Sequence, residues 1–136
     1  MKESPQIQKV ERRMAPGIIT RDGLLGDDQR QLEEIIEDDG NQINRLGLTH
    51  RRIARRMEYF TKKGRKGLGT PVTVEDIYVV KVDEWRGLVP CPWEDGHAAR
   101  KGIVEVTNEE LGETITWTPL NIHMIREHGF YQGRGS

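Results

Sequence analysis

Residues 117–131, WTPLNIHMIREHGFY, carry the most explicit structural instructions in this chain. Thr118 has the side chain of a good N-cap, and Pro119 suits the first helical position, where a missing N–H costs nothing. Trp117 before the cap and Ile122 at the fourth helical residue have the spacing of a hydrophobic staple. Gly129 offers the left-handed conformation that stops a helix, and Phe130 beyond it can pack back on Ile125. The spacing therefore predicts a helix signed at both ends. Leu120, Ile122, Met124 and Ile125 supply its core face, and His123 and His128 are its side chains with chemistry to offer.

Just upstream, the period changes from helical to alternating. GIVEVT at 102–107 sets Val104 and Val106 against Ile103, Glu105 and Thr107, and ETITW at 113–117 sets Ile115 and Trp117 against threonines. The connection 108–112 contains Gly112, so the two runs read as a hairpin leading straight into the helix. IYVVKV at 77–82 has the β-branched content of a further buried strand. Between them lies GLVPCPWEDGHAARK at 87–101, which reads as irregular. The C-terminal half is thus α+β: a small antiparallel sheet with a β-hairpin–helix unit.

The N-terminal half reads as helical. Asp27 is placed to cap a helix carrying Leu32, Ile35 and Ile36, with Gly40 as its stop; residues 41–46 have room for one or two more turns before Gly47. Thr49 caps a longer helix to about residue 63, with Leu48 and Ile53 as a second staple. Ile53, Met57 and Phe60 fall within about 60° of one another on that helix, opposite Arg51, Arg55 and Lys62. GRKGLGT at 64–70 has a G-x-x-G-x-G spacing, but no strand enters it and Pro71 follows, so it reads as a basic linker rather than a phosphate cradle. Residues 1–26 are polar and punctuated by Pro5, Pro16, Gly17, Gly23 and Gly26, which suggests a flexible arm with a turn or strand at Ile18 and Ile19. The expected organisation is an arm at 1–26, a helical module at 27–70, an α+β module at 71–132 and a tail at 133–136.

Composition narrows the function classes. The chain has 136 residues, 35% of them hydrophobic, and one cysteine, which excludes an intrachain disulfide. No apolar run approaches the roughly 18 residues a membrane span needs, and the first residues lack an apolar leader, so no membrane partner and a cytoplasmic location are expected. Net charge is only −1, but it is unevenly spread. Residues 21–40 carry Asp22, Asp27, Asp28, Glu33, Glu34, Glu37, Asp38 and Asp39; residues 49–66 carry Arg51, Arg52, Arg55, Arg56, Lys62, Lys63, Arg65 and Lys66 against Glu58 alone. Either an anionic partner such as nucleic acid meets the basic stretch, or the two helices neutralise one another.

Three constellations are candidates for chemistry. Cys91, His97, His123 and His128 together offer one thiolate and three imidazoles, a set that suits tetrahedral zinc. His123 and His128 stand about 140° apart on an ideal helix, so sharing a metal is expected to require a distorted last turn. The alternative is a small buried cysteine and a histidine favoured at a helix C-terminus. The second constellation is a nucleophilic Cys91 with His97 or His123 as base and Asp95 or Glu94 as orienting acid. The third is the segment 31–57, which resembles a helix-turn-helix in its order of helix, turn and capped basic helix. That resemblance implies that the last helix enters a major groove, with His50, Arg51, Arg52 and Arg55 as base readers and Arg56, Lys62, Lys63, Arg65 and Lys66 on the phosphate backbone. Two features depart from the motif: Ile43 stands where a small residue is usual, and the first helix is acidic.

The leading expectation is a nucleic-acid-associated or regulatory protein that binds through the basic helix 49–66. The alternative is a homo-oligomeric interaction module without catalysis. A metal- or thiol-dependent enzyme centred on Cys91 comes third.

Overall fold

The computed structural model describes residues 5–15 and 23–132. Four helices and four strands follow in the order α1 (Pro5–Arg13), α2 (Leu32–Arg45), α3 (His50–Arg65), β1 (Val72–Val74), β2 (Tyr78–Pro90), β3 (Ala98–Asn108), β4 (Glu113–Trp117) and α4 (Pro119–His128). The strands form one antiparallel sheet in sequence order, so every strand connection is a hairpin. The fold is α+β, with helices first and the hairpin–helix unit last. Among the described residues no helix is long and apolar enough to cross a membrane.

The local chemistry of α4 acts as its sequence directs. The Thr118 side chain accepts from the Asn121 amide while the Asn121 side chain accepts from the Thr118 amide, a reciprocal cap that satisfies two orphan donors. Gly129 at φ +63 ends the helix, donating to Ile125 O at 3.0 Å. Phe130 turns inward, but it joins the cluster of Leu120 and Met124 rather than that of Ile125.

Two apolar clusters meet on this helix. Leu120 and Met124 pack with Val10 and Met14 of the N-terminal segment, Leu24, Leu32, Ile35, Cys91, Ala99 and Phe130. Ile122 and Ile125 pack with Ala54 and Phe60 of α3 and with Val80, Val82, Val104, Val106 and Trp117 of the sheet. Every residue from Leu120 to Ile125 is buried, which explains why α4 lacks a polar face. The helical and sheet-bearing segments therefore share an interior.

Several boundaries differ from the sequence expectation. Residues 5–13 form α1, with Val10 and Met14 buried; Ile18 and Ile19 lie outside the described residues. Asp27 does not cap α2. The N-cap is Gln31, without a side-chain bond, and Glu11 of α1 instead accepts from the Leu32 amide at 3.0 Å. Gly40 does not stop α2, because the stop chemistry sits further on. Gly47 at φ +70 donates to Asn44 O, and Leu48 donates to Ile43 O, the paired bonds of a Schellman turn. A glycine inside a helix costs only about 1 kcal/mol, less than the helix gains by running to that turn. The segment 31–57 is thus one uninterrupted helix, a tight turn and α3.

Within the span 87–101, residues 88–90 pair with residues 98–100 and Lys101 pairs with Trp85. β2 runs to Pro90 and β3 starts at Ala98, with a register shift between Trp85 and Leu88 that places Gly87 at φ +117. This bulge lets the hairpin continue past a glycine that reads as a loop signal. Only residues 91–97 remain as the hairpin's connecting loop, and that loop reaches α4.

Candidate metal centre

The loop 91–97 is a tight knuckle. The Cys91 amide donates to His97 O and the Glu94 amide donates to Cys91 O, both at 3.0 Å. Pro90 and Pro92 restrict the chain on either side of Cys91, and Gly96 at φ +84 makes the return bend that other residues rarely adopt. Arg13 ties α1 to the same loop: its Nε donates to Pro92 O and its guanidinium pairs with Glu94 at 3.1 Å.

Against this knuckle stands the C-terminal end of α4. One ligand atom from each of Cys91, Asp95, His123 and His128 lies within 4.8 Å of the others, and these four residues lie close enough together to hold a metal ion. Asp95 Oδ2 is 2.7 Å from His123 Nε2 and 2.8 Å from His128 Nε2. Cys91 Sγ is 3.6 Å from His128 Nε2, close to the edge of a tetrahedron built from zinc bonds of roughly 2.0–2.3 Å. The helix does not unwind to achieve this. It remains helical through His128, and the length of the imidazoles brings both Nε2 atoms to one point despite the angle between their backbone positions.

Both imidazoles are backed by a stacked ring. His97 lies face to face with His123 at 3.8 Å and 4°, and Trp93 with His128 at 4.2 Å and 5°. Trp93 in turn meets Phe130 edge-on, so the second histidine is fixed against the core. His97 thus stands behind a ligand, while Asp95 is the fourth member of the close group. In sequence the group reads C-x3-D followed by H-x4-H, with a carboxylate beside one thiol and two imidazoles.

The electrostatics follow from this packing. Burial pushes the Cys91 thiol up to about 11, and the neighbouring Asp95 charge adds to the effect. Burial also opposes the charge on Asp95, but hydrogen bonds from His128, the His97 amide and His123 outweigh it and hold the carboxyl below its usual range. Burial, helped by the charge of His123, moves His97 down. A neutral thiol is the opposite of what a nucleophile needs. The imidazole within hydrogen-bond reach of the Cys91 sulfur among the described residues is that of His128, at 3.6 Å, rather than His97 or His123.

The basic residues of α3 are distributed differently from the resemblance's roles. Arg56 makes a bidentate pair with Glu75, and Arg65 pairs with Glu84, so both are tied to the sheet side. His50 Nδ1 is 2.8 Å from the Tyr131 hydroxyl, which turns it toward the chain's own C-terminal segment. Arg52 reaches Gly47 O, Lys62 reaches Glu58, and Lys63 lies over Tyr59. Arg51, Arg55 and Lys66 are exposed and have no carboxylate partner among the described residues. Of the acidic residues of α2, Asp38 pairs with Arg30 rather than with a cation of α3, and Arg30 also holds Asp28 ahead of that helix.

No protein family, curated protein or solved structure matches this chain. The functional reading therefore rests on the geometry of its own side chains. Sequence reasoning passed over Asp95 as a ligand because it sought only thiolate and imidazole. The signal that would have found it is the C-x3-D spacing ahead of Gly96.

Proposed function

We propose that Cys91, Asp95, His123 and His128 hold a zinc ion whose role is structural. What carries this reading is the convergence of a buried thiol, a carboxylate and two imidazole Nε2 atoms from a knuckle and a helix end. With a thiolate and a carboxylate as anionic ligands, the donors balance the charge of a divalent ion. A mixed sulfur, nitrogen and oxygen set suits zinc better than calcium or magnesium, and four protein donors close the coordination sphere. The ion's contribution is to fasten the β2–β3 loop to α4. Elemental analysis of the purified chain should find one zinc per molecule, and Cys91→Ser and His123→Ala should each release it. Cobalt(II) in its place should give tetrahedral visible bands with a thiolate charge-transfer feature. A chain that retains no metal after dialysis against zinc, with unchanged melting, would sink the proposal.

A second reading concerns what the fastened body does, and a separate observation supports it. Arg51, Arg55, Lys62 and Lys66 fall within about 60° on α3 and span roughly 22 Å, with Glu58 between them engaged by Lys62 and Arg126. This outward stripe suits a polyanion such as nucleic acid, held through its phosphates rather than its bases. Binding of a short oligonucleotide should then weaken steeply with salt, with a slope corresponding to roughly three or four phosphates. Arg51→Ala with Arg55→Ala should reduce both affinity and slope; a slope near zero would remove this reading.

A further inference from the structure

We infer that a second copy of this chain docks along the open edge of β4 and closes the cleft beside it. The inference stands apart from the zinc reading and shares one residue, Arg55, with the polyanion reading. Its starting point is Ile115. It pairs with buried Val106 and shares a sheet face with buried Trp117, yet it is 63% exposed. A β-branched residue on the covered face of a sheet ordinarily lies beneath something. Instead it faces a cleft of about 1000 Å³ lined by Ile53, Met57, Phe60, Leu111, Ile115 and Trp117 among others. Leu111, at the tip of the β3–β4 hairpin, is 68% exposed on its rim.

The edge next to the cleft is open. Among the described residues β4 pairs only with β3, and its residues from Glu113 to Thr116 are exposed. The opposite edge of the sheet, β1, is three residues long and follows Pro71, the kind of protection that blunts edge pairing. β4 has no proline, lysine or bulge. Its sequence, ETITW, is self-complementary in an antiparallel pairing centred on Ile115. Ile115 then meets its own counterpart, Thr114 meets the partner's Thr116, and Glu113 meets the partner's Trp117, so no like charges face one another.

Charge selects the occupant. Arg52 and Arg55 line one wall of the cleft, and neither has a carboxylate partner among the described residues. Glu113 lines the same cleft and the hairpin tip beyond it carries exposed Glu109 and Glu110, none with a cationic partner among the described residues. Free charges of both signs on one rim fit a surface that meets itself about a twofold axis. A polyanion entering this cleft would meet the Glu113 carboxylate.

Sedimentation of the full zinc-loaded chain should give twice the chain mass, falling to the monomer on dilution. Ile115→Lys should abolish the dimer without changing far-UV circular dichroism or zinc content. Glu110→Arg with Glu113→Arg, and separately Arg52→Glu with Arg55→Glu, should each give monomers, and an equimolar mixture of the two should restore the dimer mass. That rescue is not expected if the substitutions merely damage the fold. A wild-type chain that stays monomeric at every concentration overturns the proposal. So does a dimer that survives Ile115→Lys, or a monomer whose cleft carries a small molecule by native mass spectrometry. Oligonucleotide binding by monomeric Ile115→Lys reads the outer stripe of α3 separately, so the two readings can fail independently.

Discussion

Cys91 controls the acid–base chemistry of the candidate centre. Its thiol, raised to about 11 by burial, is protonated at neutral pH, so a zinc ion must displace that proton to gain a thiolate. The sign follows directly: below the thiol's pKa, raising pH removes the competing proton and zinc affinity increases. The expected gain is about tenfold per pH unit for the one proton displaced. Calorimetry in buffers of different ionisation enthalpy should count that proton. A flat profile in the native chain would mean that sulfur is not a ligand. Cys91, His123 and His128 were readable from the sequence because imidazole and thiolate are recognisable ligands at any spacing. Asp95 was less visible, since a lone carboxylate among twenty-two acidic residues is distinguished only by the loop that aims it. His97 was read as a ligand for its chemistry, but Gly96 and the knuckle's hydrogen bonds turn its ring against His123 instead.

At the scale of elements, one residue lets α3 pack directly on the valines of β2. A Cβ built on Gly64 would stand 2.6 Å from both Val80 Cγ1 and Val82 Cγ2, and those valines belong to the buried face of β2. Gly64→Ala gains helix propensity but must push the helix off the sheet, and overpacking of this kind costs about 1–3 kcal/mol. Urea melts should show the variant less stable; an unchanged or higher midpoint would show that the helix is free to move. The nearby bond from Trp117 Nε1 to Thr61 Oγ1 at 3.0 Å, with Thr61 in turn donating to Met57 O, fastens the same two elements. Helix α4 and hairpin β3–β4 were legible because cap, stop and alternation coincide in each. Helix α1 was not, because Pro5 and its polar residues read as an arm and its anchors, Glu11 to the α2 amide and Arg13 to the knuckle, are long-range. The outer half of hairpin β2–β3 was hidden by Gly87 and Pro90, which signal a break locally but are absorbed by a bulge and a strand end.

For the whole molecule, the knuckle is where α1, the β2–β3 hairpin and α4 are joined. Removing a bound zinc should therefore loosen one region before the rest. Chelation is expected to lower the melting temperature and to speed amide exchange at residues 88–100 and 123–130. The amides of Val80, Val82 and Val104, in the other cluster, should keep their protection until global unfolding. Uniform loss of protection across both clusters would contradict a local staple.

The position of α4 has a consequence for how this chain can be divided. One side of that helix completes the interior built by the N-terminal helices, and the other completes the interior built by α3 and the strands. A cut anywhere between them leaves one fragment with an uncovered apolar wall and the other without its lining. Nicking, truncation or shuffling of either part thus exposes sticky surface on both, and the polypeptide persists or is cleared as a unit.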